Sequence, residues 1–259
     1  MCIIALTLEP ETWPTEEQLT VCVQRNPDGF GWAAVVGDRV EIGKTMDPNE
    51  GIQSFLGLRT RASGPALFHA RLATHGVRGV ENCHPFGVGG RGDVVLAHNG
   101  ILPVEPPPFD WRSDSAYFAE EMLAKWLPTL DQEGGMDAWA QWMGPANKVV
   151  VLSTASVLAS PVYILNEGEG VWDDGIWWSN TGYRSFPAVV DRWRISGRRG
   201  KCDSVAEVPD AIPIDKVGTC VWCGDDDVEL YELDEFPLDE VCRECVMFAW
   251  RQYDEALDV

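Results

Sequence analysis

Cys2 carries a thiol and, if Met1 is removed, a free α-amine on the same residue. The thiolate is the reactive form of cysteine, and an amine with a pKa near ~8 can take the thiol proton. Taken alone, a Met-Cys start is also just a small apolar residue opening a strand. Three polar clusters widen the chemistry: His69-Ala70-Arg71-Leu72-Ala73-Thr74-His75-Gly76, His98-Asn99-Gly100, and Ser113-Asp114-Ser115. An arginine fork suits a carboxylate, and an aspartate suits an ammonium. An asparagine side chain beside a glycine N–H suits a developing oxyanion. With a nucleophilic cysteine, these groups describe a site for an α-amino acid that carries an amide at its far end, and glutamine fits that description.

Such groups need rigid elements beneath them. Residues 2–8 are β-prone and apolar and suit a buried strand. Residues 29–36 and 39–42, joined across Gly37-Asp38, predict a hairpin. Residues 66–72 and 94–98 are further strands, each running into a polar cluster. Residues 76–92 are glycine-rich and predict loop, and residues 103–108, with four prolines, predict irregular chain. Residues 115–127 predict a helix with Phe118, Met122, Leu123 and Trp126 on one face, and residues 136–143 a second, shorter one. Residues 149–152, 162–165 and 176–179 predict late strands. Cys22, Phe30 and Trp32 read as core and Cys83 as inert packing. His84 and His98 read as structural, and Ser113 or Asp114 as a helix cap.

Several of these segments carry a resemblance to a known family. Cys2, His69-x-Arg71-x-Ala-Thr74-His75-Gly76, Asn82-x-His84-Pro85-Phe86, His98-Asn99-Gly100-Ile101 and Ser113-Asp114-Ser115 resemble the class II glutamine amidotransferase domain in order and approximate spacing. Residues 26–33, the Asn147-Lys148 strand and Trp178-Ser179-Asn180 are also similar to that family, and the resemblance spans residues 2–190. It implies an α+β fold, the four-layer αββα sandwich of the N-terminal-nucleophile hydrolases. It implies that Cys2 attacks the glutamine side-chain carbonyl with its own α-amine relaying the proton. Asn99 and the Gly100 N–H would form the oxyanion hole, Arg71 would hold the α-carboxylate and Asp114 the α-ammonium, with Thr74, His75 and Gly76 beside the substrate. No cofactor is expected for that chemistry. Ile3 stands where many members have glycine, Leu72 where several sugar-directed members have tryptophan, and the loop 81–91 is short. These departures bear on the acceptor rather than on the glutamine site. No recognisable synthase domain follows, so the expectation is a separate ammonia-acceptor protein or simple amide hydrolysis.

A different composition begins at residue 192. Residues 192–215, with Gly197, Gly200, two prolines and the basic run Arg192, Arg194, Arg198, Arg199, Lys201, read as a linker between a domain at 2–191 and a module at 216–259. In that module Cys220-Val-Trp-Cys223 is followed after 18 residues by Cys242-Arg-Glu-Cys245. Two such pairs predict a structural zinc site, because four thiolates close a tetrahedron around Zn²⁺. Residues 228–233 predict a hairpin strand, and Asp239 a cap for a helix running to about Glu255, an order that resembles a treble-clef finger. Trp222, Phe236, Phe248 and Trp250 are candidate docking residues, if the module does more than stabilise the fold. Cys202 lies outside the quartet.

Composition narrows the class further. The chain has 259 residues and a net charge of −21. That charge argues against nucleic acid and anionic membranes as general partners. No apolar run nears the ~20 residues of a membrane span, and the start lacks a signal peptide's basic flank, so a cytoplasmic protein is expected. Eight cysteines in that setting favour metal and catalysis over disulfides. The leading expectation is a glutaminase subunit feeding ammonia to an acceptor enzyme. The alternatives are an amidohydrolase or peptidase on another γ-glutamyl amide, and a non-catalytic zinc-containing binding protein.

Overall fold

A computed structural model describes residues 2–73, 78–184, 211–218, 228–233 and 236–242. The chain divides into two units, Met1–Tyr183 and Arg184–Val259.

The first unit is built on two antiparallel sheets. Strands β1 (Ile3–Thr7), β2 (Phe30–Val36), β3 (Arg39–Thr45), β4 (Ala66–Ala70), β9 (Val171–Asp173) and β10 (Ile176–Trp178) form a six-stranded sheet in the order β3-β2-β4-β1-β10-β9. Strands β5 (Phe86–Gly87), β6 (Val94–Asn99), β7 (Lys148–Ser153) and β8 (Val162–Leu165) form a four-stranded sheet in that order. Ile4, Leu6, Ala33 and Leu67 from the first sheet pack on Val95, Ala97, Val150 and Leu152 from the second, which makes the inner layer of the core. The alternate residues face outwards. Ile3, Ala5, Ala34 and Phe68 meet helices α1 (Glu16–Arg25) and α2 (Pro48–Leu58) through Leu19, Cys22, Ile52 and Phe55. On the far side Val94, Leu96, Val149 and Val151 meet Phe118, Leu123, Leu127 and Met143. The result is four layers, helix–sheet–sheet–helix. It explains why β1, β4, β6 and β7 are buried at every residue and read as unbroken rather than alternating apolar runs.

The local signals are legible in the caps. Thr15 and Gln18 form a capping box at α1, the Gln18 N–H donating to Thr15 Oγ1 at 3.1 Å and the Thr15 N–H to Gln18 Oε1 at 2.9 Å. At α2, Asp47 accepts the N–H groups of Asn49 and Glu50, and Pro48 occupies the first turn. Neither helix is expected from apolar periodicity alone. The β2–β3 turn needs Gly37 at φ +63°.

The helix expected over 115–127 differs from its expectation. It consists of α3 (Asp114–Tyr117), a π-helical stretch Phe118–Leu123 and α4 (Ala124–Trp126), followed by a 3₁₀ turn at Leu127–Asp131. The wider π turn shifts the face that follows. Leu127 and Leu130 are buried, while Trp126 is 60% exposed and does not join Phe118 and Leu123. Helix α5 (Gly135–Met143) completes this layer. The 76–92 stretch holds two 3₁₀ turns and the short β5 rather than loop alone.

The second unit contributes a three-stranded antiparallel sheet, β11 (Ala211–Gly218), β12 (Val228–Leu233) and β13 (Phe236–Cys242). β11 begins inside the stretch read as linker. The helix expected from Asp239 is not formed at its start, because residues 236–242 are strand. The β-prone segment Val228-Glu-Leu-Tyr-Glu-Leu233 offers a ladder, and pairing with it prevails over the capping tendency of Asp239. Cys220, Cys223 and Cys245 lie outside the described residues. Cys242 and Phe236 are described only as backbone, and Trp222, Phe248 and Trp250 lie outside, so the zinc expectation and the docking residues rest on side chains beyond the described ones. No helix among the described residues is long and apolar enough to cross a membrane.

Candidate active site

Period-two alternation gathers the polar residues at one end of the sandwich. Ile4 and Leu6 face the second sheet, so Cys2, two residues earlier, starts the same row. Leu67 faces it too, which puts His69 and Arg71 on that row of β4. Asn99 follows Val95 and Ala97 on β6, and Ser179 follows Trp177 beyond β10. The register agrees: Ile3 pairs with Ala70 and Ile4 with His69, leaving Cys2 next to the residues that follow β4.

The Cys2 thiol sits on the backbone of Leu72. The Leu72 N–H approaches Sγ at 3.4 Å, and the thiol lies 3.5 Å from the Leu72 carbonyl. Burial raises the thiol pKa above its ordinary value. The Leu72 contact and the Arg71 charge pull it down, and the Asp114 carboxylate pushes it up. Arg71 and Asp114 are thus both close enough to act on Cys2. Arg71 is buried, and its backbone is fixed by bonds with Gly29 O (2.8 Å) and the Asp28 N–H (2.9 Å).

Asn99 is fully buried. Its amide lies 2.9 Å from Ser179 Oγ, which also accepts the Ile4 N–H at 2.9 Å, so Asn99 is tied to the strand that carries Cys2. Gly100 has φ +142°, and a Cβ there would stand 2.3 Å from Asn147 Oδ1. Conformation and space both require glycine, and the chain can turn sharply beside Asn99.

Asp114 opens α3, but Ser113 is its cap, accepting the Ala116 N–H at 3.2 Å. The Asp114 carboxylate instead accepts the Leu102 N–H at 2.8 Å and lies 3.3 Å from Ser115 Oγ. It lines a cavity of about 720 Å³ with Ile101, Leu102, Val104 and Trp111. Arg112, on the same wall, is held by Asp110 and Glu120 at 2.6 and 2.7 Å.

The structure therefore brings Cys2, Arg71, Asn99, Gly100 and Asp114 to one end of the first unit's sandwich. Thr74, His75 and Gly76 lie outside the described residues. Four supporting residues carry no assigned role in the sequence reading. Asp28 accepts the Ala73 N–H at 2.8 Å and pairs with Arg78 at 3.2 Å, holding the chain on both sides of 74–77. Asn82 donates to Trp111 O and accepts the Ser113 N–H, bracing the entry to Asp114. Asn180 donates to Cys2 O at 2.9 Å, and Ser179 bridges β1 and β6. Each lies in a segment that carries the family resemblance, which marks its position without assigning it a role.

The three buried histidines among the described residues differ. His98 Nε2 lies 2.8 Å from Asn147 Oδ1 and Nδ1 2.8 Å from Ser115 Oγ. Because Asn147 Nδ2 donates to Met143 O, Oδ1 must accept, which assigns the His98 proton to Nε2. His69 Nε2 faces the His98 carbonyl at 3.0 Å. Its ring stacks on His84 with centroids 4.0 Å apart. Burial drives the His69 pKa down to about 3 and that of His84 well below its ordinary value. Both are held neutral at pH 7, which for His84 agrees with the structural reading. Cys22 and Cys83 are buried, and burial raises both thiols as it raises that of Cys2, so what sets Cys2 apart is its place at the strand ends rather than its titration.

No protein-family model matches the chain. Part of it is similar to glutamine–fructose-6-phosphate aminotransferase (isomerizing) of Chlamydia caviae, at 37% identity over 78 residues, 30% of this chain and 13% of that protein. The enzyme of the same name from Caulobacter vibrioides is 34% identical over 86 residues, 33% of this chain and 14% of that protein. The matched segment thus spans about a seventh of those relatives. Among solved structures, the glutamine phosphoribosylpyrophosphate amidotransferase from B. subtilis aligns at TM-score 0.42 and 19% identity, over 71% of this chain and 42% of that one. A second, an allosteric regulatory enzyme of purine biosynthesis, aligns at TM-score 0.40 and 19% identity over the same shares.

Proposed function

We propose that the first unit is a class II glutamine amidotransferase domain that hydrolyses the side-chain amide of glutamine. The observation that carries this is the Cys2 thiol, seated on the Leu72 N–H within the fields of Arg71 and Asp114. A thiol held up by burial is not stored as thiolate, so its proton must leave as it attacks. With Met1 removed, the α-amine of Cys2 is the nearest base for that proton.

The steps follow from the arrangement. Sγ bonds to the amide carbon, and the negative charge on the carbonyl oxygen is met by the Asn99 amide and the Gly100 N–H. The proton passes by way of the amine to the leaving nitrogen, the C–N bond breaks and ammonia departs. Water then cleaves the γ-glutamyl thioester to glutamate and restores the thiol. Arg71 holds the substrate α-carboxylate and Asp114 its α-ammonium. The similarity to two glutamine-dependent aminotransferases supports glutamine as the amide. Ammonia delivery to a separate acceptor protein is part of the same proposal. So is a structural zinc on Cys220, Cys223, Cys242 and Cys245, which rests on the spacing and softness of four thiolates.

Intact mass before and after incubation with a glutamine-mimicking diazoketone tests the reading. The expected result is loss of Met1, one adduct on Cys2, and neither adduct nor ammonia release in Cys2→Ala. Glutamine turnover that survives in Cys2→Ala would remove Cys2 as the nucleophile.

A further inference from the structure

Ser179 has one hydroxyl proton and two groups facing its oxygen. As the side chains stand, Asn99 Nδ2 faces Ser179 Oγ at 2.9 Å, and the Ile4 N–H donates to the same oxygen at 2.9 Å. The hydroxyl then accepts twice and its own proton finds no acceptor among the described residues. At the same time Asn99 Oδ1 is buried with no partner among them. Buried polar groups are rarely left so, and the two ends of an amide are told apart by their partners. Turning the Asn99 amide by half a turn settles both defects. The Ser179 O–H donates to Oδ1, Oγ still accepts the Ile4 N–H, and the buried, unpaired group between the sheets becomes the Nδ2 amide nitrogen, with hydrogens to donate. An oxyanion needs donors there, and a carbonyl oxygen in that place would repel it.

We propose that Ser179 is a positioning residue that fixes the Asn99 amide with Nδ2 toward the substrate carbonyl. The proposal rests on the glutaminase reading above. Ser179 is fully buried and bonded to β1 two residues beyond Cys2, so one hydroxyl sets the donor relative to the nucleophile's own strand. Without it, the Asn99 amide is free to present either end.

The test is steady-state ammonia release from glutamine by the full chain, with Cys2 alkylation by iodoacetamide as a measure of an intact thiol site that needs no oxyanion hole. Ser179→Ala should lower kcat about tenfold to a hundredfold, somewhat less than deleting an oxyanion donor outright. KM should stay within about threefold of wild type, and the alkylation rate should not change. Ser179→Thr, which keeps the hydroxyl, should recover most of kcat. If the alanine variant does not fold, Ser179→Cys, with a weaker donor of similar shape, is compared with Ser179→Thr and should show the kcat loss. In an Asn99→Ala background Ser179→Ala should cost nothing more, because its action passes through Asn99. An unchanged kcat in Ser179→Ala, or a loss that multiplies with that of Asn99→Ala, overturns the proposal while leaving the glutaminase reading in place. Wild-type protein that alkylates normally but releases no ammonia overturns the glutaminase reading, and the role of Ser179 with it.

Discussion

His98 and Asn99 are neighbours on β6, yet their side chains belong to different regions. His98 points into the outer helical layer, where Ser115 and Asn147 occupy both ring nitrogens at 2.8 Å. Asn99 points between the sheets, where Ser179 meets one end of its amide and the other end has no partner among the described residues. Both residues are buried and polar. A buried polar group costs stability unless it is bonded, so full pairing marks a frame and half pairing marks a place reserved for something else. The outer face of β6 holds the sheet to the start of α3 and thereby places Asp114. On the proposed reading the inner face supplies the oxyanion donor.

The largest effect should come from the half-paired residue. Asn99→Ala is expected to lower kcat for ammonia release about 10²–10³-fold, the usual cost of one preorganised oxyanion donor. Its urea unfolding midpoint should move little, since the lost group has only one partner. A variant with full kcat would remove Asn99 from the chemistry and leave the contrast along β6 without meaning.

The reverse pattern is expected for His98→Ala. It leaves the Ser115 hydroxyl and the Asn147 carbonyl oxygen buried without their partner and opens a cavity, so a stability loss of about 3 kcal/mol is expected by urea unfolding. Turnover of the folded fraction should stay within tenfold of wild type. A kcat loss as large as that of Asn99→Ala, with stability intact, would show that the frame and the chemistry are not separated as the hydrogen bonds suggest.

How far the sequence reaches is visible in the same residues. Cys2, Arg71, Asn99 and Gly100 stand out because each is a chemically distinct type at the end of an apolar run, and Asp114 because it stands at a helix start; the roles expected of them come from the family resemblance. Ser179 and Asn180 are marked only by the resemblance of Trp178-Ser179-Asn180, which assigns them no role; their roles come from contacts with β6 and with Cys2, 80 and 178 positions away. Helices α1 and α2 escape apolar periodicity, although Thr15-x-x-Gln18 and Asp47-Pro48 announce their starts. The face of the helix after Asp114 is misjudged at Trp126 because a π turn breaks the 3.6 period that the reading assumes. The strand at 236–242 reflects pairing with β12, which no local cap signal reveals.

The unpaired histidines sharpen the contrast by a different route. His69 Nδ1 and both ring nitrogens of His84 are buried with no hydrogen-bond partner among the described residues, as Asn99 Oδ1 is, but here stacking rather than substrate accounts for the vacancy. Such rings must stay neutral, which makes a smaller and pH-dependent effect. Burial depresses the His69 pKa from 6.5 to about 3 in the folded chain. Above pH 6.5 neither the folded nor the unfolded form binds the proton, and the contribution is complete. As pH falls from 6.5 towards 3 the unfolded chain takes up a proton that the folded chain refuses. Stability is then lost at up to about 1.4 kcal/mol per pH unit for this group. His69→Gln removes the titration while keeping a donor for the His98 carbonyl. Its urea midpoint should therefore fall less steeply than that of the wild type between pH 6.5 and 4.5. Parallel slopes for the two proteins would mean that His69 takes its proton in the folded state, and an unpaired ring nitrogen would then be as open to chemistry as the amide of Asn99.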